Sequence, residues 1–381
     1  MDYFNPVKLV FGSQVRRKIN KECVGKRVLI ICSSTAYNRY RKDPELSTLF
    51  SFTNVTFEHG FGSNPSLTDI IEISIKYSSS SLDLIIGLGG GSAMDVAKIS
   101  SASIPALKNG IHINDLLDDP GILSGVQEID CIQMPTTAGT GSEVTPFATV
   151  WDYEEQKKKS LSHPKLYAKK AFIDPDFLSD TPISVAVSTG LDALNQAFES
   201  LWNVNASEIT RSLSRQAIVF SLEALPNISN APSNYDLRRN LSLASLFAGL
   251  AISQTRTSIC HSISYPLTLK YGVEHGMACA FSMLEVLNFN IDYIEHDIAL
   301  IRHQINEDIY PLLEDILIKF GVYDHLANLL PDKTSFLSSI DDFVASGRFE
   351  NNIKKCERTD LIQIISASFD SVKNIGLNQL K

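Results

Sequence analysis

Short uninterrupted apolar runs punctuate the first half of the chain, and long helical periodicities replace them in the second. Residues 27–32 (RVLIIC), 82–87 (LDLIIG) and 129–134 (IDCIQM) have the length and continuity of strands buried on both faces of a parallel sheet. Between the first two, residues 66–77 predict a helix: Ser66 follows Asn64 and Pro65 as an N-cap signal. Strand–helix–strand alternation of this kind predicts an α/β domain with a helix-flanked parallel sheet. The character changes after Asp174 and Pro175. From about Pro182 onward the strand signal fades, and residues 208–225, 236–253 and 305–320 carry helical periodicity. The pattern predicts an α/β domain over residues 1–181 and an all-α domain over 182–381.

Composition agrees with that division. At 381 residues the chain is too long for one small core and suits two domains. It is 44% apolar and 20% charged, and no apolar run reaches the roughly 18 residues of a membrane span. The N-terminus, MDYFNPVKLVFG, lacks the basic region and apolar core of a signal peptide, so a cytoplasmic location is expected. The net charge of -9 opposes a nucleic-acid surface but leaves an anionic small substrate open. Six cysteines, Cys23, Cys32, Cys131, Cys260, Cys279 and Cys356, show no paired spacing and read as buried reduced thiols. The basic run KKK at 157–159 reads as a solvated loop.

Three segments carry candidate chemistry. GLGGGSAMDVAK at 87–98 follows directly on a predicted strand. Its glycines allow close backbone approach to a diphosphate, and a helix starting near Ser92 would aim its free N–H groups there. The spacing is neither GxGxxG nor a P-loop. PTTAGTGSEVT at 135–145 follows the next strand and is dense in hydroxyl donors. Two such loops at the carboxyl edge of one sheet favour a nucleotide. In the second half, CHSISYPLTLKYGVEHG at 260–276 sets His261 and His275 fourteen residues apart, while STGLDALNQAFES at 188–200 offers Asp192 and, one turn on, Gln196. An Asp and two His suit a divalent cation. An amide oxygen is a poorer ligand, and helix-end hydrogen bonding is an alternative role for both histidines.

Taken together, GGGSAMDVAK, PTTAGTGSEVT, IDPDFLSDTP, STGLDAL and YGVEHG resemble the iron-containing (group III) alcohol dehydrogenase family in order and spacing. The resemblance implies a dehydroquinate synthase-like architecture: a Rossmann-like dinucleotide domain, a helical domain, and a metal and substrate in the cleft between them. It implies Asp192, His261 and His275 as ligands of one Fe2+ or Zn2+, with Gln196 where the family usually has His. It further implies cofactor contacts from Gly89, Gly90, Gly91, Ser92, Asp95, Thr136, Thr137, Thr140 and Ser142, with Lys158 near a family lysine that reaches the nicotinamide ribose. Ser33 stands where an Asp commonly reads the adenosine ribose, so NADPH is slightly favoured over NADH. Tyr265 replaces a frequent His near the reacting carbon, as a proton relay or a wall of the pocket, and His261 acts in catalysis through the metal.

The segments at 160–167 and 255–276, with Gln196 and Tyr265, are similar to a branch that reduces phosphonoacetaldehyde to 2-hydroxyethylphosphonate. A dianionic substrate needs cations and hydroxyls, and Arg256, Ser262 and Lys270 are the candidates beside the histidines. Surface charge is the competing explanation of both cations. Three other readings remain: a short-chain alcohol, diol or semialdehyde reductase of the same family, a ring-forming lyase, and a metal-free non-catalytic relative. A homo-oligomer, a dimer, is the expected assembly, with no nucleic-acid or membrane partner.

Overall fold

The three continuous apolar runs become the inner strands of one sheet. A computed structural model describes residues 2–62, 64–155, 157–344 and 348–378. Strands β1 (Lys8–Phe11), β2 (Val28–Cys32), β3 (Val55–Glu58), β4 (Leu84–Gly89), β5 (Asp130–Pro135) and β8 (Lys170–Ile173) form a six-stranded sheet in the order β1-β8-β5-β4-β2-β3. Every pairing in it is parallel. Alternate side chains divide between two cores. Leu29, Ile31, Ile85 and Cys131 pack with Ile70, Ile73 and Val96 on one face; Ile30, Ile86, Ile132 and Met134 pack with Tyr40, Leu49 and Phe177 on the other. The helix Leu67–Tyr77 starts as its sequence predicts, with Ser66 and Asp69 forming a reciprocal capping box.

Two strands lie outside that sheet. β6 (Phe147–Asp152) and β7 (Lys157–Ser162) pair antiparallel. The KKK run expected as a loop is therefore the start of a strand: Lys158 lays its ammonium over the Trp151 ring at 5.5 Å, and Lys159 pairs with Asp152 at 2.8 Å. Cross-strand partners of this kind stabilise a ribbon that a charge count alone reads as solvent-exposed.

Phe4–Thr137 and Gly141–Thr181 form one compact unit, and Pro182–Lys381 form another that includes Ala138–Thr140 of the hydroxyl-rich loop. In the second unit the described residues contain helices and no strand. Ile183–Leu201, Glu208–Ile228 and Tyr235–Thr255 pack on one another. A Cβ on Gly190 of the first would sit 2.7 Å from Leu225 of the second, so the glycine sets how closely those helices approach. The periodic stretch at 305–320 is two helices rather than one. Met283–Ile305 ends on Asn306 at φ 57°, and Asp308 caps Ile309–Lys319 by accepting from Tyr310 N. Among the described residues no helix is long and apolar enough to cross a membrane.

Candidate metal centre and dinucleotide cradle

In the α/β unit the chain turns outward from β2 towards β3 and the opposite way from β4 towards β5, so the switch point of the sheet lies between β2 and β4. The glycine loop leaves β4 there. Its backbone is packed too closely for side chains: a Cβ on Gly87 would lie 2.2 Å from Gln133 Oε1, one on Gly89 2.7 Å from Ala93 Cβ, and one on Gly90 3.2 Å from Thr137 Oγ1. Gly90 is the N-cap of the helix Gly91–Lys108 and offers no side-chain acceptor. The helix start has no side-chain cap from its N-cap residue, which fits a diphosphate at that position. Ser33 lies across the switch point at the end of β2, where its hydroxyl accepts from Ala36 N at 3.1 Å and caps the helix Ser34–Tyr40.

The second loop is held by charge. Lys98 is fully buried on the Gly91–Lys108 helix. Its ammonium donates to Ser142 O (2.9 Å), Thr145 Oγ1 (3.2 Å) and Phe147 O, and pairs with Asp95 at 3.4 Å. Burial pushes the Lys98 pKa down, opposed by Asp95. Asp95 in turn accepts from Ser142 Oγ (2.5 Å) and Thr149 N (2.9 Å). Asp95 and Ser142, expected as cofactor contacts, are thus engaged with each other in support of the loop. Thr136 N donates to Gly89 O at 2.9 Å, which links the two loops directly. Thr140 falls within Ala138–Thr140, where a Cβ on Gly139 would meet Thr189 at 2.7 Å.

The helical unit brings its candidate ligands together from three helices. Asp192 and Gln196 share a face of Ile183–Leu201, His261 lies in the first turn of Ile259–Tyr271, and His275 opens His275–Ala280. The last helix approaches so closely that a Cβ on Gly276 would lie 1.7 Å from Ser188 O. His261 Nε2 is 3.3 Å and His275 Nε2 3.9 Å from Asp192 Oδ1. A fourth donor joins them. Ligand atoms of Asp192, His261, His275 and Cys279 all lie within 4.8 Å of one another. Asp192 Oδ1 is buried with no hydrogen-bond partner among the described residues, as suits an oxygen whose partner is a cation. The donor set and this orphaned oxygen fit a divalent metal.

Glu199, one turn beyond Gln196, holds the centre from behind. Its Oε2 lies 2.5 Å from His261 Nδ1 and its Oε1 accepts from His261 N at 3.1 Å. A carboxylate on Nδ1 fixes the ring so that Nε2 is the free donor. Burial raises the Glu199 carboxyl, and the His261 charge and hydrogen bonds outweigh it to hold it low. Burial likewise raises Asp192, while the adjacent His261 ring, the charges of both histidines and the neighbouring Gln196 hold it below the usual range. Burial opposes charge on His261, yet facing Cys279 and Glu199 raises its pKa well above the ordinary value. Cys279 is raised by burial but brought down to about 6 by His261 and His275.

Beside the cluster the Tyr265 ring stacks on His275, with centroids 6.3 Å apart and planes 6° from parallel. The Arg348 guanidinium lies 5.5 Å from the Tyr265 ring centroid and donates to Thr257 Oγ1. Ser262 is buried, and its hydroxyl has no hydrogen-bond partner among the described residues. Arg256 is half-buried at φ 69°, ψ -179°, and its carbonyl accepts from Asn203 Nδ2 at 3.3 Å. Lys270 stands apart. It is exposed in the last turn of the His261 helix, about 13 Å along the axis from His261 at 1.5 Å per residue. The sequence does not single out Glu199 or Arg348, and Cys279 reads there only as a buried reduced thiol. Cys279 and Glu199 were accessible by spacing: Cys279 is four residues after His275, and Glu199 seven after Asp192, each on its ligand's own helix face.

Two sequence profiles cover the chain. Residues 6–175 match one described as iron-containing alcohol dehydrogenase, and residues 186–369 one described as Fe-containing alcohol dehydrogenase family, C-terminal. Phosphonoacetaldehyde reductase of Streptomyces viridochromogenes is 32% identical over 211 residues, 55% of this chain and 53% of that protein. The 1-propanol dehydrogenase PduQ of Citrobacter freundii is 27% identical over 290 residues, 76% of this chain and 74% of that one. The crystal structure of sulfoacetaldehyde reductase from Bifidobacterium kashiwanohense in complex with NAD+ has the same fold, with a TM-score of 0.86 at 24% identity over 97% of this chain and 98% of that one.

Proposed function

The chain belongs to the iron-containing alcohol dehydrogenase family, and from that premise we propose that it is a metal-dependent, NAD(P)H-linked reductase of a small anionic aldehyde. The preferred substrate in this reading is phosphonoacetaldehyde, reduced to 2-hydroxyethylphosphonate. The observation that carries the metal-dependent reading is the convergence of Asp192, His261 and the half-exposed His275 from three helices on one point. The substrate reading rests on the relative named phosphonoacetaldehyde reductase and on Arg348 lying over Tyr265, which itself stacks on His275.

A divalent cation held by Asp192, His261 and His275 supplies Lewis acidity at an aldehyde oxygen, and a bound nicotinamide supplies hydride. The chain's residues do the rest. Glu199 keeps His261 Nδ1 protonated and Nε2 available. The tight Gly87–Gly90 backbone and the uncapped helix start at Gly91 receive the diphosphate. Ser33 presents no carboxylate against a 2′-phosphate, so NADPH is accepted alongside NADH, with a slight preference for it. The Tyr265 hydroxyl holds the proton that the product alkoxide takes up. Arg348 and Arg256 bind the substrate's phosphonate oxygens, for which a planar guanidinium fork is suited.

Arg348→Ala and Arg256→Gly test the anion reading, the glycine being chosen because it relieves the backbone at φ 69°. Losing a charge-assisted contact worth about 1.5–3 kcal/mol lowers kcat/KM for phosphonoacetaldehyde roughly 10- to 150-fold. Propanal turnover changes little in both variants. An equal fall for both aldehydes contradicts the anion reading and favours a short-chain aldehyde reductase, the reading supported by the 1-propanol dehydrogenase relative.

A further inference from the structure

We propose that Cys279 is a ligand of the metal, so that the centre is Asp192, His261, His275 and a thiolate. The inference deepens the metal-dependent reading above and rests on it. The resemblance expects a fourth imidazole at the position of Gln196. Gln196 stands there instead, a weaker donor whose Oε1 is buried with no hydrogen-bond partner among the described residues. The fourth donor comes from another helix. Cys279 follows His275 by four residues on His275–Ala280, the spacing that puts two side chains on one helical face.

Geometry supports coordination more than accidental contact. A tetrahedral zinc site has sulfur–nitrogen edges of about 3.5 Å and nitrogen–oxygen edges of about 3.3 Å, given bonds near 2.3 Å to sulfur and 2.0–2.1 Å to nitrogen. Cys279 Sγ is 3.8 Å from His275 Nε2 and 4.0 Å from its Nδ1, His261 Nε2 is 3.3 Å from Asp192 Oδ1, and His275 Nε2 is 3.9 Å from the same oxygen. All four donors lie within 4.8 Å of one another, and Cys279 is fully buried beside them. The four donors are close enough to close on one ion, with separations at or above those of an occupied tetrahedral site. On metal entry Cys279 gives its thiol proton to solvent and binds as thiolate. A carboxylate, two imidazoles and a thiolate form a softer set than one carboxylate with three imidazoles, which favours Zn2+ over Fe2+. The packing of Gly276 on Ser188 O fixes the helix that carries both His275 and Cys279, so the two ligands are placed as a unit.

The test loads the full-length chain with one equivalent of Co2+ and records its near-ultraviolet absorption, with metal content measured on the same sample. Wild-type protein shows a thiolate-to-cobalt charge-transfer band. Cys279→Ser loses the band and binds metal more than about 100-fold more weakly, exceeding the usual effect of an outer-shell change. Gln196→Ala keeps the band, and Cys260→Ser, which removes the neighbouring buried thiol, keeps it too. Circular dichroism verifies the fold of each variant, and the wild-type spectrum is decisive even if Cys279→Ser does not fold. Wild-type protein holding one cobalt without the band overturns the proposal, as does a band that survives in folded Cys279→Ser. Aldehyde reduction by the cobalt protein, measured separately, reports on the enzymatic reading. A metal-loaded, active protein lacking the band therefore removes the thiolate and leaves the function intact.

Discussion

At the scale of single residues, burial decides which groups can do chemistry and which must be neutral. Glu143 lies in the hydroxyl-rich loop, 2% exposed, with Oε2 lacking a hydrogen-bond partner among the described residues. Burial raises its pKa to about 7, opposed by its backbone hydrogen bond and by Lys98. A carboxyl raised in the folded state contributes stability that is fully present below its unfolded pKa of about 4.5 and lost as pH climbs through 7. The difference of about 2.5 units corresponds to roughly 3 kcal/mol. Urea unfolding of wild type and Glu143→Gln checks this: the stability difference shifts in favour of the variant between pH 4.5 and 8. Parallel pH profiles contradict it. Residue-scale legibility was uneven in the same way. Asp192, His261 and His275 stand out because their side-chain chemistry is distinctive. Cys279 reads as another inert buried thiol, and Glu199 as one more polar position of a helix, until three-dimensional packing sets them against the histidines.

At the scale of elements, the longer strands inside the sheet were readable and the four-residue strands were not. β2, β4 and β5 are continuous apolar runs flanked by strands on either side. β1, β3 and β8 have four residues each, too few for periodicity to separate them from loop. β7 hides behind its lysines because its stabilisation comes from Trp151 and Asp152 across the ribbon. Helical periodicity likewise runs through the break at Asn306, where one left-handed residue and one aspartate cap divide two helices. The short helix His275–Ala280 carries the strongest element-scale prediction. Gly276→Ala puts a methyl 1.7 Å from Ser188 O, a backbone atom that cannot rotate away, so the helix must move at a cost of about 3 kcal/mol. Metal affinity falls at least about tenfold, the lower end of what displaced ligand support costs. Gly272→Ala is the contrast: it has open space but φ 68°, and it costs about 1 kcal/mol in stability without changing metal affinity. Thermal unfolding and metal titration of both variants measure the two effects. Equal metal affinity in Gly276→Ala and wild type contradicts the argument.

At the scale of the whole molecule, each unit presents one kind of chemistry. The α/β unit ends its central strand in a backbone too tight for side chains, at the switch point of a parallel sheet. The helical unit gathers a carboxylate, two imidazoles and a thiol around one point, all buried except the half-exposed His275. The family was legible because its signatures sit in the loops and helix turns that build these two features. Arg348 was not legible in the same way, because it reaches Tyr265 from a segment more than eighty residues away in the chain and carries no local motif. The central claim is metal-dependent reduction of an anionic aldehyde. It is tested most directly by measuring the metal content of protein purified without chelator, alongside its oxidation of NADPH and NADH with phosphonoacetaldehyde and with propanal. The account predicts close to one divalent metal per chain, faster turnover of phosphonoacetaldehyde than of propanal, and loss of both activities on metal removal with recovery on its return. Full activity in metal-free protein, or equal efficiency with propanal, would contradict it.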